Sequence, residues 1–210
     1  MNETLKRAIS GTAYVIIMWH AASHSNFSYS LLFAILGALS IYEMWKLREG
    51  KNKLLAFLYV LTPFILSQFI LTSRTQENWN ADLILFMFIL TWTFDTFAYL
   101  TGVKYGKHKI IPTISPKKSW EGFLGGGIAT IITAYFSYTY FSFENNSIPL
   151  IISVTLPFTA TLGDFIESYY KREAGVKDSG NIIPGHGGIL DRMDAFMITI
   201  PTIYIVINLL

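Results

Sequence analysis

Apolar positions in this chain come in long runs, with no sustained alternation of polar and apolar residues. Seven runs read as spans: Ala8–Ala22, Phe27–Tyr42, Leu54–Leu71, Leu83–Tyr99, Gly122–Phe141, Ile148–Gly163 and Ala195–Leu210. A spanning helix needs about 20 mostly apolar residues, within roughly 17–25, so the first and sixth runs are short and their bounds loose. A spanning barrel needs dyad alternation, and an open sheet edge leaves backbone groups unsatisfied in hydrocarbon. The pattern therefore predicts an all-α, polytopic helical bundle embedded in the membrane as one domain, 1–210, with residues 1–80 supplying its first spans.

The polar residues between the runs are sorted by side. Fifteen of the 16 Lys and Arg fall in the amino-terminal arm and in the segments after the second, fourth and sixth runs, leaving Arg74 alone opposite. Basic excess marks the cytoplasmic side, so the amino terminus is expected inside and the carboxyl terminus outside. Lys6 and Arg7, the apolar stretch to Met18 and the small Ala21-Ala22-Ser23 also fit a signal peptide, which leaves retention of the first span open. Composition agrees with a bilayer protein: 52% of residues are hydrophobic and 14% charged, against roughly 25% charged in soluble domains. A net charge of +2 is too small to suggest a nucleic-acid binder. The absence of Cys excludes disulfides, thiolate metal sites and thiol nucleophiles.

The scarce charges gather in two long segments expected on the cytoplasmic side, 101–121 and 164–194. Asp164, Glu167, Ser168, Lys171 and Arg172 fall at helical spacing, so they share one stripe if the sixth span continues beyond the membrane. Gly175 is a suitable stop. A solvated face with ion pairs is the plain reading of that stripe. The next stretch adds Lys177, then the Pro184-Gly185-His186-Gly187-Gly188 turn and Asp191-Arg192-Met193-Asp194 before the last span. Asp164 and Asp191 both sit where a span meets the cytoplasm, and carboxylates from two helix ends suit a hard cation. Lys171, Arg172, Lys177 and Arg192 suit phosphate oxygens, and the amides around Gly187 and Gly188 suit an anion. Together they are what phosphoryl or nucleotidyl transfer requires.

The first segment holds Asp95 just before it, and then Lys117, Lys118 and Ser119 ahead of the fifth span. Ser119 is placed to cap that helix, and the two lysines to contact phosphate. Interfacial anchoring by Lys and by Trp120 is the plain alternative. Gly122 and Gly126 have the spacing of close helix contacts, and there is no GxxxxGK[ST] loop.

The run Ser168–Asp194 resembles the motif of the phosphatidate cytidylyltransferases, also called CDP-diacylglycerol synthases: S-x-x-K-R, four residues, K-D, then P-x-H-G-G-x-x-D-R-x-D. Ser168, Lys171, Arg172, Lys177, Asp178, Pro184, His186, Gly187, Gly188, Asp191, Arg192 and Asp194 match it. The stretch Gly106–Gly126 and the residues around Asp95 are similar to the family as well. The resemblance implies transfer of a cytidylyl group from CTP to phosphatidic acid, giving CDP-diacylglycerol and pyrophosphate, with the catalytic portion in 81–210. It implies Asp164 and Asp191 as ligands of magnesium, with a monovalent cation such as potassium beside it. It implies Lys171, Arg172 and Asp194 as catalytic. It also implies substrate contacts from Lys177, Arg192, His186, Gly187, Gly188, Lys117, Lys118, Ser119, Asp95 and Ser168. A bacterial inner membrane, a site on its cytoplasmic face and a homodimer are expectations of the same kind.

Three other functions fit parts of the same pattern. A CTP-dependent polyprenol or phytol kinase would release CDP, and a cytidylyl transfer onto an isoprenoid ether lipid would differ only in its acceptor. A transporter would place its carboxylates at mid-membrane within an internal repeat, and no repeat is present.

Overall fold

The structure, a computed structural model, describes residues 3–72, 81–143 and 145–209. Among them are seven α-helices: α1 Glu3–His24, α2 Asn26–Leu47, α3 Leu54–Thr72, α4 Asp82–Tyr105, α5 Trp120–Ser137, α6 Ser147–Glu173 and α7 Leu190–Leu209. A short 3-10 turn, Tyr138–Tyr140, follows α5. Helices α2, α4 and α6 are long and apolar enough to cross a membrane. Their neighbours carry large apolar side chains on their outer faces, among them Ile16, Leu55, Phe136 and Ile205. In water such a surface would be unsupportable; in hydrocarbon it is the ordinary lipid-facing side. The protein is an integral membrane protein.

Several helices outrun their apolar runs, α4 and α6 most of all, because hydropathy marks the bilayer and not the limit of hydrogen bonding, while α5 stops at Ser137, short of its expected end at Phe141. Helix α4 continues to Tyr105, so the first polar segment begins at Gly106 and not at Thr101. Helix α6 continues ten residues beyond Gly163, and α7 starts at Leu190, so much of 164–194 is helical. Local signals fix these limits. Ser25 caps α2 in a reciprocal capping box with Ser28. Ser119 caps α5 by accepting from Gly122 N–H at 3.2 Å. Gly175, at φ +72°, takes the left-handed conformation that closes α6, with Val176 N–H donating back to Lys171 C=O at 3.0 Å. Arg74 lies outside the described residues.

Helices α4 and α5 form one close pair and α6 and α7 another, with α5 on α6 joining them. Helix α3 backs α7, α2 backs α3, and α1 lies against α2 and α4. Fully buried Phe86, Phe88 and Leu90 of α4 and Met193, Phe196 and Ile200 of α7 fill the centre. The Phe88 and Phe196 rings meet edge to face at 5.4 Å.

Glycine sets both close approaches. A methyl group on Gly126 would lie 2.9 Å from Ala98 Cβ, and one on Gly122 3.2 Å from Gly102 Cα, as the small-residue spacing anticipates. One on Gly163 would collide with the Asp194 carbonyl oxygen. That last contact matters most, because it brings the ends of α6 and α7 together where their carboxylates lie. Gly163→Ala should therefore destabilise the protein by about 1–3 kcal/mol through overpacking. Gly127→Ala, whose added methyl meets Pro157 at an ordinary 3.8 Å, should be neutral or slightly stabilising. Thermal unfolding of both variants in detergent checks the contrast.

Candidate active site

Because α6 stays helical to Glu173, its polar stripe turns inward toward α7. Asp164, Glu167 and, from α7, Asp194 converge, with a ligand oxygen of each within 4.8 Å of the others. Ser168 steadies the first by donating to Asp164 Oδ1 at 3.1 Å. Asp194 Oδ1 accepts from Ala195 N–H at 2.7 Å. Glu167 is fully buried, and the Lys171 ammonium is the partner that reaches its carboxylate. Three converging carboxylates, one of them fully buried, are oxygen ligands of the kind that suit a hard divalent cation.

Lys171 is itself buried, and its ammonium bridges the two helices. It pairs with Glu167 one turn back and donates to Asp191 Oδ1 at 2.7 Å. The other Asp191 oxygen accepts from Ser179 N–H at 2.9 Å and Gly188 N–H at 2.8 Å. The sequence pairs Asp164 with Asp191 as cation ligands. The fold instead sets Asp164 with Glu167 and Asp194, and holds Asp191 in this network beside them. The Gly188 amide, offered by the sequence as part of an anion nest, has an anion of its own chain in the Asp191 carboxylate. Gly187 has φ +82°, and a methyl there would meet Asp191 Oδ2 at 2.5 Å, so this turn is shaped around that carboxylate.

The first polar segment folds over the cluster from the other side. Ile110 N–H donates to Lys118 C=O at 3.2 Å and Trp120 N–H to His108 C=O at 2.9 Å, closing it as a narrow loop. Glu121 pins its base. The His108 ring nitrogen lies 2.6 Å from Glu121 Oε1, and the Lys107 N–H donates to Oε2 at 3.2 Å. The His108 contact is the main reason the Glu121 carboxyl is held at about 2, below the usual glutamate range. At the loop's far end Lys118 forms an ion pair with Asp164.

Two cavities flank the cluster, and Asp95 lines both. The larger, about 600 Å³, runs between α4, α5 and the loop, with Lys109, Lys117, Lys118 and Ser119 on one wall and Tyr99, Val103 and Phe123 on another. The smaller, about 320 Å³, lies under α1, with Tyr14, His186, Arg192 and Asp194 on its walls. Arg172 and Lys177 stand further out, while His186 turns from its cavity toward α1. Arg172 is exposed and donates to Val176 C=O at 2.8 Å, and Lys177 is exposed on the loop beyond. His186 faces α1, its Nδ1 2.9 Å from Ser10 Oγ.

Comparison with known proteins decides the family. The cytidylyltransferase family profile matches residues 7–210. The chain belongs to the cytidylyltransferase family. It is similar to a phosphatidate cytidylyltransferase of Staphylococcus haemolyticus, 36% identical over 202 residues that cover 94% of this chain and 77% of that one. A second, of Rickettsia bellii, is 37% identical over 185 residues, 84% of this chain and 78% of its own. A third, of Haemophilus influenzae, is 40% identical over 169 residues, 72% of this chain, and this chain spans 57% of its length. The resemblance read from Ser168–Asp194 is thus shown for nearly the whole chain, including its first helices.

Those first helices hold the residues that the sequence reading passed over. Glu43 of α2 is buried against the start of α7. Tyr59 of α3 donates to the Gly163 carbonyl at 2.9 Å, bracing the close contact of α6 with α7. Tyr14 and Ser10 of α1 reach Met193 and His186. The one signal for Glu43 was its standing as the lone acid in Asn26–Leu47, since an ionisable group at a span's end has to be paired.

Two expectations follow. Lys171→Met strands Glu167 beside Asp191 without a cation, and should cost about 3–5 kcal/mol. Adding Glu167→Gln should recover part of that loss, as read by denaturant unfolding in detergent. The Glu121 pin, whose carboxyl is lowered in the folded state, contributes fully above the ordinary glutamate range and is lost as pH falls from there toward about 2. Tryptic cleavage at Lys107 and Lys109, done on Glu121→Gln at neutral pH, should mimic that loss and run faster than in the unsubstituted protein.

Proposed function

We propose that the chain transfers a cytidylyl group from CTP to phosphatidic acid, forming CDP-diacylglycerol and releasing pyrophosphate. The family match over residues 7–210 carries this reading, and the three converging carboxylates flanked by Lys118, Lys171 and Arg192 support it. The phosphate monoester of phosphatidic acid is the nucleophile. Its second pKa is about 6, so near neutral pH it attacks already ionised and needs no general base. One of its oxygens forms a bond to the α-phosphorus of CTP as the bond to the β-phosphate oxygen breaks, and the electron pair leaves with pyrophosphate.

The obstacle is repulsion between two anions, and positioning with charge stabilisation removes it. Lys109, Lys117 and Lys118 on the larger cavity and Arg192 on the smaller one are the phosphate-holding groups in this reading. Asp164, Glu167 and Asp194 would hold magnesium, with Asp191 fixing Lys171 beside them. Magnesium bound there supplies charge neutralisation on the triphosphate. The aromatic and aliphatic wall of the larger cavity suits a lipid arriving laterally, while the nucleotide comes from the aqueous side. The basic segments belong on the cytoplasmic face of a bacterial inner membrane in this reading, with seven spans and the amino terminus inside.

Purified protein with CTP, magnesium and phosphatidic acid should form a CDP-lipid and pyrophosphate. Formation of CDP with a phosphorylated lipid would instead identify a kinase, and preference for an isoprenoid ether acceptor would identify the other transferase. Asp194→Asn and Asp164→Asn should each lower turnover by at least about 100-fold, while the protein still elutes as a folded species. Normal turnover in either variant would remove that carboxylate from the site.

A further inference from the structure

Glu43 is a buried charged group that the proposed chemistry leaves unused. It stands near the end of α2, remote in sequence from both polar segments, and is 2% exposed. A carboxylate so buried is expensive unless its oxygens are satisfied. Here they are, by one segment. Oε1 accepts from Ile189 N–H at 3.0 Å, and Oε2 accepts from Leu190 N–H at 2.8 Å. These are amides at the start of α7 that have no partner within their helix, and the positive end of the helix dipole faces the charge. Ser179 Oγ lies 2.9 Å from Glu43 Oε2 and 2.9 Å from Asp191 Oδ2, a single hydroxyl between two carboxylates.

The segment between α6 and α7 is shaped around this group. A methyl added at Gly180 or at Gly188 would overlap the Glu43 carboxylate. Both glycines thus make room for a side chain from α2, which explains why small residues stand there without any need for flexibility. From Glu43 the chain of bonds runs through Ser179, whose hydroxyl donates to Glu43 and whose N–H donates to Asp191, and from Asp191 through Lys171 to Glu167 of the cluster.

We infer that Glu43 is a positioning residue, an amino-terminal clamp that fixes the start of α7 and the Ser179–Gly188 segment so that Asp191 and Lys171 are held in register with the carboxylate cluster. It touches no substrate in this role; it acts through Ser179 and the α7 amides. The functional part of this inference rests on the cytidylyl-transfer reading, while the clamp itself does not.

The test uses the full-length protein in detergent, with Glu43→Gln as the main variant. Gln keeps the shape but turns an amide N–H₂ toward donors. Exposed Glu49→Gln is the control. Amide hydrogen exchange over 179–191 should quicken at least about tenfold in Glu43→Gln and stay unchanged in Glu49→Gln. With CTP and phosphatidic acid, kcat per folded molecule should fall about 10- to 100-fold, as for supporting partners of catalytic groups elsewhere. KM for both substrates should move less than about twofold. Ser179→Ala should lower kcat in the same direction, and combining it with Glu43→Gln should cost no more than Glu43→Gln alone. Unchanged exchange over 179–191 overturns the clamp whether or not the protein turns over. Quickened exchange with normal kcat per folded molecule overturns the positioning role and leaves a structural one. If the unsubstituted protein makes no CDP-lipid, the functional reading fails separately, and the exchange measurement still decides the clamp.

Discussion

A single buried ammonium holds the functional end of this bundle together. Lys171 lies between Glu167 on its own helix and Asp191 on the next, and those carboxylates sit too deep to be left unpaired. Its position makes demands on everything around it. Helix α6 has to remain helical well past its apolar stretch, or Lys171 would not face inward. Helix α7 has to begin early enough to bring Asp191 alongside. The two helices have to touch at Gly163, where a methyl group would collide with the Asp194 carbonyl. Removing any one of these leaves buried charge without a partner, which costs more than the pair itself contributes.

The same arrangement divides the space around the carboxylates. Asp95 stands between a larger cavity with a lysine-bearing loop and a smaller one under α1 that holds Arg192. In the proposed reaction this separation would let each anionic reactant be held by its own basic groups. Helix α1 forms a wall of the second cavity, and α2 supplies Glu43 to the start of α7. The amino-terminal helices are therefore parts of the site's scaffold as well as membrane anchors.

Much of this was legible in the chain. Long unbroken apolar runs give a helical membrane bundle because hydrocarbon satisfies no backbone group. Ser119, Gly175 and the Gly122–Gly126 spacing gave a cap, a stop and a close contact, since each depends on neighbours within a few residues. The dense motif from Ser168 to Asp194 gave the family. Pairings across the bundle were not legible. Asp164 and Asp191 look like partners because both stand at a span's end, yet the register of α6 against α7 puts Asp194 beside Asp164 and turns Asp191 onto Ser179, Gly188 and Lys171. Arg172 belongs to the same motif as Lys171, but one residue's rotation about the helix, near 100°, sends it outward.

The sequence by itself thus determined the solvent, the helical architecture and the family, because these follow from local composition, short-range hydrogen bonding and residue order. Only the tertiary structure decided which carboxylates share a site, why Gly188 has to be glycine, and that a glutamate on the second helix braces the last. Such choices depend on helix register and on contacts between residues more than 100 positions apart, as Glu43 and Leu190 are, and no local pattern encodes that distance.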